Sequence, residues 1–135
     1  MGGSDPRTVL VALWRMSRPA QLALIALVYA LGVAMALGRG ATAEAGAVAL
    51  GLAALLPVAA SVHYANEYAD VETDALADRT PFSGGSGALP ASGVDRRVVL
   101  QAAIGTLALG GTLAVHEVGL AGVLVLVSLF HLSPQ

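Results

Sequence analysis

Three long apolar runs without charge constrain this chain more than any other feature. They span residues 19–38, 45–66 and 98–115, and none contains Asp, Glu, Lys or Arg. Each run approaches the roughly 20 residues that an α-helix needs to cross a hydrocarbon core about 30 Å thick. Charged residues make up only 12% of the chain, whereas soluble domains commonly carry about 25%. The sequence therefore predicts an all-α, polytopic membrane helix bundle with three full transmembrane helices.

The remaining segments complete a single predicted membrane domain over residues 1–135. Residues 118–132 form a fourth apolar run of 15 residues, which reaches only about 22 Å as a helix. We expect a short fourth transmembrane helix there, in a chain that is incomplete at its C-terminus. Residues 1–18 are expected to form an N-terminal arm at the membrane interface, or simply to begin the first span. Residues 67–97 are expected to form a loop.

The arginines predict the orientation in the membrane. All seven basic residues are Arg, and six of them lie in the arm 1–18 or in the connection 67–97. Because cytoplasmic segments are enriched in Arg and Lys, we expect a multi-pass cell-membrane protein whose N-terminus and 67–97 loop are cytoplasmic. A signal peptide cleaved near residues 41–43 is the alternative for the first span. Its apolar part would be longer than the usual 7–15 residues or so.

The 67–97 connection is unusually acidic, with six of the nine acidic residues of the chain. If the second helix continues to about Ala77, then Asn66, Asp70 and Asp74 lie at i, i+4 and i+8 on one face. Neighbouring carboxylates repel each other unless a cation lies between them, and oxygen ligands of this kind suit Mg²⁺ with a bound phosphate. Arg79 is placed to pair with diphosphate oxygens.

A plainer interpretation of these charges is a solvated helix end. In that case the carboxylates contact water, and Arg79 forms a salt bridge with Asp74 or Asp78. The other acidic residues of the connection are expected to be solvated under either interpretation; they are Glu67, Glu72, Asp78 and Asp95.

The run from Asn66 through Asp70 and Asp74 to Arg79-Thr80 resembles the first aspartate-rich motif of the UbiA family of intramembrane prenyltransferases. The following TPFSGGSGAL is similar to the menaquinone-type branch of that family, and the Arg18-Pro19 pair that opens the first span also looks familial. The resemblance covers about the first half of such a protein. Glu67 stands where the family commonly has Asp.

The resemblance implies a bundle of about nine helices that transfers a prenyl group from a polyprenyl diphosphate to an aromatic acceptor, preferably dihydroxynaphthoate-like, in quinone or related lipid biosynthesis. It implies Mg²⁺ as cofactor, with Asn66, Asp70 and Asp74 as metal ligands and the two aspartates as catalytic residues. Asn66, Arg79 and Arg18 would bind the diphosphate.

The family uses a second aspartate-rich motif, which this sequence lacks: Glu117 is the only acidic residue after Asp95. A partner chain or a missing C-terminal half would have to supply it. Nucleic acid is not an expected partner.

Two other functions compete with this prediction. The chain is alternatively a catalytically inactive, truncated membrane protein that acts, if at all, through helix association. A metal-ion transporter is a weaker alternative, because transporters use ionisable residues inside their spans, and here the spans offer only His63 and His131.

Overall fold

A computed structural model describes the backbone of residues 5–74 and 87–132, with side chains for residues 5–70, 87–116 and 119. This part of the chain contains helices and no strand. The helices are α1 (Pro6–Met16), α2 (Pro19–Gly38), α3 (Ala45–Asp74), α4 (Ala88–Ser92) and α5 (Arg96–Leu132).

The predicted all-helical class and the three spans are confirmed at the level of helix length and composition. Three helical segments are long and apolar enough to cross a membrane: Pro19–Gly38, Ala45–Asp70 and Arg96–His116. The larger nine-helix bundle remains a prediction.

Helix α2 is bounded by residues that favour its start and its end. Pro19 occupies the first turn, where its fixed φ suits a helix and its missing N–H costs nothing. Gly40, just beyond the last turn, has a φ of 88°, which glycine adopts readily. None of the residues of α2 is buried. The Tyr29 hydroxyl connects α2 to α3, because it donates a hydrogen bond of 2.8 Å to the Val48 carbonyl.

Helices α3 and α5 form the main helix pair of the structure. They approach closely at Gly110, where an added Cβ would lie 2.6 Å from both the Ala54 carbonyl oxygen and Val58 Cγ2. Small residues permit such close contact between membrane helices. Helix α3 contains Pro57 and continues on both sides of it.

The buried residues cluster at one end of this pair, where α1 and α4 pack against it. We call this region the packed end. It comprises α1, the part of α3 from residue 60 to 67, and the chain from the start of α4 to residue 103 of α5. Its core consists of Ala12, Met16, Ala60, Tyr64, Ala88, Leu89, Val94, Val99 and Ala103. The Tyr64 hydroxyl donates a 3.2 Å hydrogen bond to the Leu13 carbonyl, which fixes α1 against α3.

The structure differs from the sequence-based expectation in two connections. In the connection 67–97, α3 continues as far as Asp74, in line with the predicted continuation of the second helix, but α4 was not expected there. The apolar runs 98–115 and 118–132 were expected to be separate helices, which puts a turn at the intervening His116 and Glu117. Instead these residues are helical, and the break lies at Gly119, whose φ of 71° and ψ of 166° are not helical.

Candidate functional site

The end of α3 carries the three residues of the predicted motif on one continuous helix. Asn66, Asp70 and Asp74 all lie within Ala45–Asp74, so consecutive members are separated by about 6 Å along the helix axis. The side chains of Asn66 and Asp70 are exposed. The helix was expected to reach about Ala77, and residues 75–77 lie outside the described residues.

Asn66 and Asp70 have the chemistry and the accessibility that a hard cation requires. Neither side chain makes a hydrogen bond or ion pair in the part of the chain that the structure describes. An exposed amide oxygen and an exposed carboxylate on neighbouring turns are suitable ligands for Mg²⁺, which binds one or two carboxylates and retains several waters. These residues therefore fit the predicted metal.

Asp74 and Arg79 complete the part of the predicted site that follows Asp70. The side chain of Asp74 and the whole of Arg79 and Thr80 lie outside the described residues, as does the glycine-rich stretch up to residue 86. Among the side chains that are described, no group of three or more His, Asp or Glu residues is assembled.

Arg18 lies at the junction of α1 and α2, and its side chain reaches α3. Its Nη2 lies 3.5 Å from Glu67 Oε1, and the Glu67 side chain is only 2% exposed, against 23% for Arg18. The prediction that Glu67 is solvated is therefore wrong. A carboxylate is very costly to bury without an opposite charge, and the guanidinium of Arg18 provides that charge.

The backbone of Arg18 is in a strained conformation. Its φ of 54° and ψ of 70° place it in the left-handed region, the only residue other than glycine with positive φ in the described part of the chain. This conformation costs roughly 1–2 kcal/mol for an L-residue. Arg18 accepts hydrogen bonds from the Gln21 and Leu22 amides at 2.9 and 3.1 Å, so α2 begins directly from the strained residue.

His63 lies one turn before Glu67 on α3. Its Nε2 is buried and has no hydrogen-bond partner among the described residues. Buried polar atoms without a partner are uncommon in proteins and often indicate a water or ligand. His63 and Glu67 are four positions apart on the same face of α3, so Arg18, Glu67 and His63 form a polar cluster beside the Asn66 turn.

Arg96, at the start of α5, contacts the end of α3 at Tyr68. Its Nε donates a 2.8 Å hydrogen bond to the Tyr68 carbonyl, and its guanidinium lies 4.2 Å from the centroid of the Tyr68 ring. A cation above an aromatic face is stabilising, so the start of α5 is held against the turn of α3 that separates Asn66 from Asp70.

Sequence reasoning missed both of these long-range contacts. Glu67 pairs with a residue 49 positions away, and Arg96 with one 28 positions away. No spacing rule within one helix connects such residues. The one local indication that Glu67 belongs to the site was its position next to Asn66 in the sequence.

Comparisons of this chain with protein-family models, with curated proteins and with solved structures gave no match.

Proposed function

We propose that this chain provides the first metal and diphosphate half-site of a membrane prenyltransferase. Asn66, Asp70 and Asp74 would hold Mg²⁺, and Asn66, Arg79 and Arg18 would bind the diphosphate of a polyprenyl substrate. The observation that carries the proposal is the unbroken helix α3. It leads from an apolar span to Asp74 and exposes Asn66 and Asp70 on the way.

In the proposed reaction the allylic C–O bond of the prenyl diphosphate breaks and a bond from the prenyl carbon to an aromatic ring carbon forms. The ring then loses a proton, and diphosphate leaves. Mg²⁺, when bound, neutralises negative charge on the leaving diphosphate. The arginines add further neutralisation through charge-assisted hydrogen bonds, and apolar helices around the reacting carbons keep water away.

Arg18 has a specific role under this proposal. Its guanidinium is held by a buried carboxylate, so its position is fixed before any substrate arrives. A preorganised charge stabilises a departing anion without reorganisation at the moment of reaction. A second aspartate-rich motif from another segment or another chain would complete the site.

The test measures the Mg²⁺-dependent binding of a substrate analogue to the proposed half-site. The purified chain in detergent should bind a prenyl thiodiphosphate in the presence of Mg²⁺ and lose that binding when EDTA is added. Asp70→Ala combined with Asp74→Ala should weaken binding at least about tenfold, the factor that corresponds to 1.4 kcal/mol. Glu44→Ala, a change in the short connection at the other end of α3, is the control and should bind normally.

Binding that persists with EDTA, or that is equal in the double aspartate variant, would contradict the proposal. Membranes that contain this chain should also transfer a labelled prenyl group from its diphosphate to a dihydroxynaphthoate. We expect this transfer only when Mg²⁺ is present and a segment or chain that carries the second aspartate-rich motif is expressed with it.

Helix association is a second candidate function, and the exposure of α2 favours it. Its large apolar side chains are more than half exposed at Leu24, Leu27, Val28, Leu31 and Met35. Such a surface is compatible with lipid or with another helix. Cysteines introduced singly at these positions should crosslink between copies if α2 associates, whereas a pattern without any crosslinks would indicate that α2 contacts lipid.

A further inference from the structure

A groove between α1 and α4 lies outside the polar cluster and the Asn66 face. It has a volume of about 290 Å³, and both Arg7 and Arg15 line it. These residues are eight positions apart on α1, so their Cα atoms are separated by about 12 Å along the helix axis. Two extended arginine side chains can converge on one group across this distance.

Among the described residues, the two arginines of the groove have no acidic partner. Neither Arg7 nor Arg15 makes a hydrogen bond or ion pair in the described part of the chain, and none of the described residues that line the groove is acidic. Thr8 adds a hydroxyl at the same wall. Guanidinium groups bind phosphate oxygens through paired, charge-assisted hydrogen bonds, so the groove offers the donors that a phosphate group requires.

The rest of the lining is apolar except for Ser92, whose hydroxyl donates a hydrogen bond to the Leu89 carbonyl. Val11, Ala12, Ala88 and Ala91 contribute carbon surface beside the two guanidinium groups. On the same helix, Leu10 is 68% and Trp14 64% exposed, a pattern typical of helices that lie in the membrane interface with tryptophan among the headgroups. The donors of the groove therefore lie next to the surface that would contact lipid.

We propose that this groove binds a phosphate group, and that its apolar lining favours a phosphate carried by an anionic lipid. Arg7 and Arg15 bind the phosphate oxygens, Thr8 donates a further hydrogen bond, and the alanines contact the glycerol portion. Basic pockets beside membrane helices are suited to such headgroups. This site does not depend on Asn66, Asp70 or Asp74, so it can be present whether or not the chain takes part in prenyl transfer.

The test uses the whole chain purified in a neutral detergent. Native mass spectrometry and thermal unfolding would be followed while phosphatidylglycerol or phosphatidylcholine is added. We expect phosphatidylglycerol to bind and to raise the melting temperature. Arg7→Gln combined with Arg15→Gln should weaken its binding about tenfold or more, because each substitution removes hydrogen bonds to a charged group. Arg39→Gln combined with Arg97→Gln removes the same charge elsewhere and is the matched control.

Competition identifies the source of the phosphate. If glycerol phosphate or inorganic phosphate displaces the lipid at millimolar concentration, the groove is a general phosphate site; if neither does, it is a lipid site. Equal binding by the Arg7/Arg15 variant, or equal loss in the Arg39/Arg97 control, would overturn the proposal. Circular dichroism of each variant verifies folding, and Thr8→Val provides a milder change that should also weaken binding.

Discussion

The packed end and helix α2 differ in how far their side chains are buried. At the packed end Met16 and Val99 are completely buried, and even the carboxylate of Glu67 is enclosed. In α2 none of the residues is buried, although the helix is almost wholly apolar. The difference shows that apolarity alone does not create a core in this chain. Inside a membrane, apolar side chains gain little by leaving lipid, so packing depends on shape and on polar contacts.

Two methionines provide the most sensitive test of this contrast. Met16→Ala removes a fully buried side chain from the packed end and should lower the free energy of unfolding by about 2–5 kcal/mol, through lost contacts and a residual cavity. Met35→Ala makes the same chemical change on α2, where Met35 is 53% exposed, and should change stability by about 0.5 kcal/mol or less. Thermal unfolding in detergent measures both. Equal losses would mean that α2 is packed as well.

The Arg18–Glu67 pair tests whether charge contributes to the packed end. Glu67→Gln leaves the guanidinium without its buried carboxylate and should cost about 1.5–3 kcal/mol, the range for hydrogen bonds to charged groups. Arg18→Gln should also destabilise the protein. The double variant should lose less than the sum of the two single changes, because the two residues interact directly. Additive losses in a double-mutant cycle would show that the contact does not stabilise the fold.

Adjacent glycines test the helix pair that connects the two regions. Gly110→Ala places a methyl group 2.6 Å from the Ala54 carbonyl oxygen and should cost about 1–3 kcal/mol, as expected for overpacking. Gly111→Ala is the control, since a Cβ there meets nothing within 4 Å. It should be neutral or slightly stabilising, because alanine is the better helix former. A stability loss for Gly111→Ala equal to that for Gly110→Ala would argue against close α3–α5 contact.

The sequence predicted the features that depend on local composition. The apolar run 19–38 corresponds to α2 (Pro19–Gly38). Proline favours the first turn of a helix and glycine favours its end, so an uncharged run between them predicts a single helix. The continuation of α3 beyond Asn66 was also predicted, because no Pro or Gly occurs there before Asp74.

Features that depend on distant partners were not predicted. Glu67 was expected to be solvated because a carboxylate beyond a membrane span normally contacts water. Its burial depends on Arg18, which adopts a left-handed conformation that no local pattern indicates. For the candidate site, the sequence predicted that Asn66 and Asp70 would share a helix face, and the family resemblance added Arg18, but the contacts of Arg18 with Glu67 and of Arg96 with Tyr68 were not predicted.

The separation of Arg18 from Glu67 along the chain has a consequence for biosynthesis. The two residues are 49 positions apart, and Tyr64, which binds the Leu13 carbonyl, is 51 positions from its partner. At about 5–20 residues per second, α1 and α2 leave the ribosome several seconds before the residues that hold them. During this interval neither the strained junction at Arg18 nor the placement of α1 against α3 has its stabilising contact. The N-terminal arm therefore acquires its final position only after α3 has been synthesised.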